Sequence, residues 1–297
     1  IFVGTENGLW ISLDNGNSFE QFKNGYPSVS TYDFAIQERE ADLVIATFGR
    51  ALWVLDDIRP LRKAAANKGM KFTTPVTVFT APDAYQAQYK AATGYEWSTY
   101  GLYDAQNRRR GAEVSFFINK PKQDTTTKQS TDTASRQQAP VQQGGRGRGS
   151  GNQGSGRRLD SAMVRIYNSN NELIRSMRWA VDSGFNRTYW GMEEKGFRQP
   201  GSPKPQPGAQ EPGGFQVLPG TYKLVMNYSG SSDSTFISVK DDPRLGNRND
   251  VKLAQRAMYT RLRKSSDKLN TGMDQLTESD ELLTKIQSQL RGAEGKE

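Results

Sequence analysis

The sequence predicts a mainly β protein with a helical C-terminal segment, and three patterns predict it. Residues 1–62 contain a diverged repeat, residues 75–243 hold several short alternating strands between turns, and leucines recur every seven residues after Asn249. The repeat indicates the terminal blades of a β-propeller, the strands indicate a β-sandwich, and the leucine spacing indicates helix.

The repeat joins "IFVGTENGLWISLD" (1–14) to "LVIATFGRALWVLDD" (43–57). Thr5 aligns with Thr47 and Trp10 with Trp53, so the period is 42–43 residues with one insertion. One four-stranded propeller blade takes ~40–50 residues. Residues 1–62 are therefore predicted to be the last blades, and the remaining blades are expected upstream or on another chain.

The sandwich is predicted in two parts. Residues 63–120 are assigned to a linker and the first strands, including "AEVSFFINK". Residues 159–244 supply the rest, because they contain a hairpin (162–180), a strand (186–192) and two strands joined by a Ser/Gly turn (219–243).

Residues 121–158 are predicted to be a disordered insertion rich in Arg, Gly, Gln and Thr, because Val141 is their single large aliphatic residue. The chain carries a formal charge of +8, and this insertion holds seven basic against two acidic residues. Its "GGRGRGSG" tract could bind RNA or another anionic polymer, but two arginines without an aromatic favour a solvated loop. Nucleic acid is therefore not the expected partner.

The last segment, residues 245–297, is predicted to be a helical hairpin or a coiled-coil segment. Its seam consists of Leu262, Leu269, Leu276, Leu283 and Leu290. Gly272 and the cap-like Thr277 and Ser279 disfavour one continuous rod. An intramolecular hairpin or bundle is therefore favoured over a self-associating zipper.

Cysteine and histidine are both absent, which excludes disulfides, thiolate nucleophiles, the usual zinc sites and any His-based triad in this sequence. No apolar stretch is long enough for a membrane-spanning helix, and the first residues do not read as a signal peptide. We expect no catalytic residue, cofactor or metal.

The stretch "WISLDNGNSFEQF" (10–22) carries a turn motif made of Ser12, Asp14, Gly16, Ser18 and Phe19. Asp and Ser accept hydrogen bonds from nearby amides, Gly supplies a positive φ, and the aromatic is expected to pack beneath the turn. A calcium loop would place an acid or Asn where Gly16 stands. A structural turn is therefore favoured over an ion-binding or catalytic role.

This motif resembles an Asp-box of bacterial-neuraminidase-type repeats. The segments "VGTENGLWISLDNGNSF" and "DLVIATFGRALWVLDDIRPL" resemble the closing blades of sortilin-like propeller proteins, often described as glycosyl hydrolases; Phe48 stands where such relatives often have His. The segments "GAEVSFFI", "VRIYNSNNELIRSM", "FNRTYWGM", "LPGTYKLVMNYSG" and "VKDDPR" resemble the Ig-like module that follows such propellers, which is similar to that of flagellar hook-capping proteins.

The resemblance implies a protein of the bacterial envelope, typical of the Bacteroidota: at the cell surface, outer-membrane-associated, periplasmic or secreted. It favours a non-catalytic binding or assembly scaffold that engages protein partners through propeller, sandwich and helical surfaces, as part of an envelope complex. The alternative is a sialidase-like glycosyl hydrolase whose catalytic blades lie upstream and whose ligand is a glycan.

Arg50, Asp56 and Asp57 form the polar cluster expected on the propeller face. Paired carboxylates can cleave glycosides, but adjacent strand residues point to opposite faces. Arg50 bridging to one aspartate, or Asp57 capping the turn before Arg59, is therefore favoured over catalysis.

Overall fold

A computed structural model describes residues 1–69, 71–87, 109–120, 160–206, 208–246 and 249–294. The predicted disordered insertion, residues 121–158, lies outside them. The described residues form a mainly β structure with two helices, as predicted. The elements are β1 (Phe2–Thr5), β2 (Gly8–Ile11), β3 (Glu20–Gln21), β4 (Thr31–Gln37), β5 (Asp42–Thr47), β6 (Leu52–Leu55), α1 (Arg59–Ala66), β7 (Val76–Val78), β8 (Ala84–Tyr85), β9 (Ala112–Ile118), β10 (Ser161–Tyr167), β11 (Leu173–Ala180), β12 (Gly184–Trp190), β13 (Glu193–Lys195), β14 (Gly213–Gln216), β15 (Gly220–Tyr228), β16 (Ser231–Lys240) and α2 (Asn249–Glu294).

The N-terminal residues form two antiparallel three-stranded sheets, ordered β1-β2-β3 and β4-β5-β6. Val3 pairs with Trp10 in the first sheet, and Ile45 pairs with Trp53 in the second. The Thr5 hydroxyl donates to the Gly8 carbonyl (3.0 Å), and the Thr47 hydroxyl donates to the Ala51 carbonyl (2.7 Å). The sequence repeat is therefore also a structural repeat, with its extra residue in the β5–β6 turn.

These two sheets share one core. Leu9, Leu43 and Ile45 are buried between them, and the segment after β6 closes the core with Ile58. The alternation of Tyr32, Phe34 and Ile36 in "TYDFAIQ" predicts a strand at residues 31–37, and β4 confirms it.

The central part of the chain forms two further sheets, ordered β11-β10-β15-β16-β8 and β12-β9-β7, around a second core. Aromatic pairs cross between these sheets: Phe116 stacks on Trp179 at 6.3 Å, and Trp190 meets Tyr222 edge-on at 5.5 Å. At one margin the sheets approach closely, since the Val78 amide donates to the Asp233 carboxylate (2.8 Å).

Both hairpins predicted here are confirmed. β10 and β11 join through a turn whose Asn171 has a φ of 58°, and β15 and β16 join at Ser229 and Gly230. The β13–β14 pair was not predicted; its strands lie on either side of residues 196–212, a segment rich in proline.

The last element is one uninterrupted helix of 46 residues, about 69 Å long. The prediction of a helical hairpin is therefore wrong, because α2 is a single helix. The expected capping residues do not start a new helix, because the Thr277 hydroxyl donates back to the Met273 carbonyl (2.9 Å) and the Ser279 hydroxyl to the Gln275 carbonyl (2.8 Å). A single mid-helix glycine, Gly272, costs only about 1 kcal/mol and does not break the helix.

One face of α2 docks on the β13–β14 pair and on the segment that connects its two strands. Tyr259 lies between Phe197 (5.4 Å) and Phe215 (5.1 Å). Ser266 and Asn270 donate to the Arg198 carbonyl (2.9 and 2.7 Å). Two hydrogen bonds (2.6 and 3.0 Å) join the Arg198 guanidinium to the Asp274 carboxylate, and they lower the pKa of that carboxyl below its ordinary value. In the described part of the chain, neither helix has the length and apolarity needed to cross a membrane.

Candidate functional site

The structure brings Ser12, Asp14, Gly16 and Ser18 together in one turn. Asp14 Oδ1 accepts hydrogen bonds from the Ser12 hydroxyl (2.9 Å) and the Ser18 amide (2.9 Å), and Oδ2 accepts from the Ser18 hydroxyl (2.6 Å). The Gly16 amide donates to Ser12 Oγ (2.8 Å), and the φ of Gly16 is 91°, which favours glycine. Both carboxylate oxygens of Asp14 are thus used by its own loop.

The last residue of the motif corrects one expectation. The Phe19 ring lies next to Gly16, since a Cβ added there would be 3.9 Å from Phe19 Cζ, but Phe19 is 41% exposed and is not a buried plug. A groove of about 420 Å³ runs beside the turn and is also lined by Leu61 and Lys68. Asp14 lies at the edge of this groove, but its carboxylate oxygens accept hydrogen bonds from Ser12 and Ser18.

The hydrogen bonds to Asp14 predict a pH dependence. The Ser18 hydroxyl and amide, followed by the Ser12 hydroxyl, lower the pKa of Asp14 to about 2, below its unfolded value of about 3.9. The depressed pKa stabilises the fold above the unfolded pKa, and this stability is lost between about pH 4 and about pH 2. We expect Asp14→Asn to lower the thermal midpoint at neutral pH, with a difference from wild type that shrinks through this range.

Glu6→Gln, in the neighbouring β1–β2 turn, is the matched control, because it also removes one carboxylate. A difference between wild type and Asp14→Asn that stays constant down to about pH 2 would contradict this assignment.

The predicted cluster of Arg50 with Asp56 and Asp57 does not form. Arg50 lies in the β5–β6 turn, where its carbonyl accepts a hydrogen bond from Trp53 Nε1 (3.1 Å). Asp56 and Asp57 follow the other end of β6, about 13 Å of strand away. The sequence left two roles open for Asp57, an ion pair with Arg50 or a cap on the turn before Arg59. In the structure, Asp57 caps this turn.

Asp57 is buried and has a φ of 48°, in the left-handed region. Its Oδ1 accepts from the Arg59 amide (3.2 Å) and guanidinium (2.9 Å), and its own amide donates to the Asp42 carboxylate (2.9 Å). These contacts fix the chain where the β4–β5–β6 sheet ends and α1 begins.

A polar cluster that the sequence did not reveal lies next to Asp57. Arg187 on β12 forms an ion pair with Glu113 on β9 (Nε to Oε1, 3.1 Å), and it donates hydrogen bonds to Ser115 Oγ (3.2 Å) and to the Asp56 carbonyl (3.1 Å). The Tyr189 hydroxyl donates to Glu113 Oε2 (2.9 Å). Burial, and then the Glu113 charge, raise the pKa of Tyr189 to about 12, so the phenol stays protonated.

This cluster joins the N-terminal sheets to the second core and contains no activated nucleophile. The adjoining cavity encloses about 50 Å³, well below the roughly 300–1,000 Å³ of ligand pockets. In the described ranges, no group of three or more acidic side chains is arranged to hold a metal ion. The contacts of the cluster join β9 and β12 to the segment that follows β6, and we call it the polar joint.

Helix α2 carries a row of exposed leucines at heptad spacing. We call this row the leucine stripe; it consists of Leu262, Leu269, Leu276, Leu283 and Leu290. Each of these side chains is 55–73% exposed. Met258 and Ile286, at the intervening heptad positions, are exposed as well. Exposed apolar patches of this kind mark interaction surfaces. The stripe is the feature of the described residues with the clearest capacity to bind another macromolecule.

Comparison with known proteins adds no relative: no family model, no curated protein and no solved structure matches the chain. The fold and its surfaces define a mainly β protein with a C-terminal helix that carries an exposed leucine stripe.

Proposed function

We propose that the protein is a non-catalytic assembly scaffold of the bacterial envelope or secreted fraction that binds protein partners. The single observation that carries this proposal is the leucine stripe, which lies exposed along a helix whose other face is docked. A continuous apolar seam at heptad spacing is the recognition surface that helices use to bind helices.

The proposal includes propeller blades for residues 1–62, and the repeat supports this assignment. The face of the first sheet that carries Leu9 packs on the second sheet, and Leu9 is fully buried. The repeat places Leu52 at the equivalent position, yet Leu52 is 69% exposed. The equivalent pairs on these faces are Phe2 with Val44, Leu9 with Leu52, and Ile11 with Val54.

The first sheet therefore presents one face to the second, and in the described residues the same face of the second sheet is exposed at Leu52 and Val54. Head-to-tail stacking of this kind gives a closed ring when the rotation between neighbours closes, as in a propeller. The exposed face of the β4–β5–β6 sheet is the one that a further blade would cover. The two sheets around the second core support the proposed Ig-like sandwich, because they share one apolar core and Phe116 of one sheet stacks on Trp179 of the other.

The hydrolase alternative gains no support from the described residues. The Asp14 oxygens bond to their own loop, and the Asp57 carboxylate is buried and ion-paired with Arg59. Neither arrangement supplies the acid and the nucleophile or base that glycoside hydrolysis requires.

Cysteine labelling tests the scaffold function, because the native chain has no cysteine to compete. In a membrane-free lysate of the producing cells, a thiol introduced as Leu276→Cys should react more slowly with maleimide than one introduced as Thr271→Cys. Thr271 lies on α2, is exposed and is outside the stripe. Both thiols should react equally after denaturation. Equal rates before denaturation would contradict the proposal.

A further inference from the structure

Resting on the scaffold function, we propose that the leucine stripe binds the same stripe of a second copy of this chain, with the two α2 helices antiparallel. The pairing is isologous, so each copy contributes the same surface and the contact closes on itself. The stripe residues, the small residues between them and the charges along α2 each point to this arrangement.

Small residues lie between the leucines along the stripe and leave space for the side chains of a second helix. With the stripe leucines at heptad position a, position d holds Met258, Ser265, Gly272, Ser279 and Ile286. A Cβ added at Gly272 would meet no atom within 4 Å, so an open hole lies there. In antiparallel pairs, position a of one helix faces position d of the other. Each central leucine therefore meets a small residue, and large and small side chains interdigitate.

The charges give the orientation. Residues 252–268 contain six basic residues and one acidic residue, whereas residues 274–281 contain four acidic residues and no basic one. Parallel pairing would bring like halves together, and antiparallel pairing brings opposite halves together. Lys252, Arg256, Asp274 and Glu278 also bind the body of their own chain.

The register follows from placing the basic half against the acidic half. Leu269 then faces the partner's Gly272, and Ser265 faces the partner's Leu276. About 44 residues of each helix overlap, from 249 to 292, which corresponds to about 66 Å.

The body of the chain leaves this face accessible. The docked side of α2 carries Tyr259, Ser266 and Asn270, whereas the stripe is rotated away from it along the helix flank. Leu262 and Leu269 lie beside the docked residues and are still 55% and 57% exposed. A second helix can therefore lie along the stripe while α2 stays docked.

Sedimentation equilibrium of the purified 297-residue chain tests the pairing. Wild type should form a dimer whose population rises with concentration. Gly272→Leu should raise the dimer Kd at least about 30-fold, because two sites per dimer become overpacked. The monomer should not lose stability, since the added side chain enters open space and leucine favours helix. Thr271→Leu, one residue away, is the control and should leave Kd unchanged.

This design separates specific pairing from general stickiness, because Gly272→Leu makes the stripe more apolar and is still expected to weaken the dimer. A Kd that is unchanged or lower in Gly272→Leu would overturn the proposed packing.

Disulfide trapping tests the orientation. When Ser265→Cys protein and Leu276→Cys protein are mixed and oxidised, antiparallel pairing should give mostly the mixed disulfide. Parallel pairing would give the two homodisulfides and would overturn the proposal.

A monomer at every concentration would also overturn the pairing, while Leu276→Cys protection in the lysate would still support the scaffold function. A monomer that cosediments with phosphatidylethanolamine/phosphatidylglycerol vesicles, and whose Leu276→Cys is unprotected in the membrane-free lysate, would overturn both.

Discussion

Replacing Trp190 with alanine is expected to lower the free energy of unfolding by about 3–5 kcal/mol. The Trp190 side chain is 1% exposed, contacts Tyr222 across the two sheets at 5.5 Å, and donates from Nε1 to the Glu193 carbonyl (3.0 Å). Alanine would leave a cavity between the sheets and would leave the Glu193 carbonyl without this donor. Urea denaturation followed by circular dichroism measures the effect.

Phe236→Ala is the control for this prediction, because Phe236 lies on β16 of the opposing sheet but is 64% exposed. Its replacement should change the free energy of unfolding by no more than about 0.5 kcal/mol. Equal effects of the two substitutions would show that the space between the sheets is not the core that the structure describes.

Arg187→Met is expected to destabilise the protein by up to about 3–5 kcal/mol, because it removes the ion pair between Arg187 and the buried Glu113 carboxylate. Glu113 is 7% exposed, and its Oε2 accepts a hydrogen bond from the Tyr189 hydroxyl. The substitution also removes the hydrogen bond from Arg187 to the Asp56 carbonyl (3.1 Å), which joins the N-terminal sheets to β12.

A second variant distinguishes the lost ion pair from lost packing. Arg187→Met with Glu113→Leu removes both charges of this pair, so it should be more stable than Arg187→Met alone. Urea denaturation of the two single variants and the double variant gives the coupling free energy. A double variant less stable than Arg187→Met would contradict the view that breaking this ion pair causes the loss.

The strands could be predicted because the residues that determine each strand and turn are close together in the sequence. Alternation in "TYDFAIQ" fixed β4, and the turn residues Asn168 to Asn171 and Ser229-Gly230 fixed the two long hairpins. The repeat could be aligned because Trp10 and Trp53 occupy the same register in their sheets. In each case the side chains that decide the structure lie within a few residues of the backbone that they direct.

The polar joint could not be predicted, because Arg187 and Glu113 are 74 residues apart in sequence and meet only when β9 and β12 pair. Arg50 and Asp56 were expected to lie together because they are close in sequence. They lie apart because strand β6 runs between them.

The length of α2 was also missed. Thr277 and Ser279 resemble helix caps in sequence, but their hydroxyls return to carbonyls of the preceding turn. Local sequence cannot distinguish these two uses of a hydroxyl, because the choice depends on whether the chain continues straight. The docked side of the helix, with Tyr259 and Asn270, supplies tertiary contacts that hold its first half as one rod.

The most direct test of protein binding by the leucine stripe places a photo-reactive amino acid at Leu276 and irradiates the cells that produce the protein. We expect an adduct with a polypeptide, identified by mass spectrometry, and no such adduct when the same amino acid replaces Thr271. An adduct with lipid or glycan alone, or none from either position, would contradict the claim that the leucine stripe binds protein.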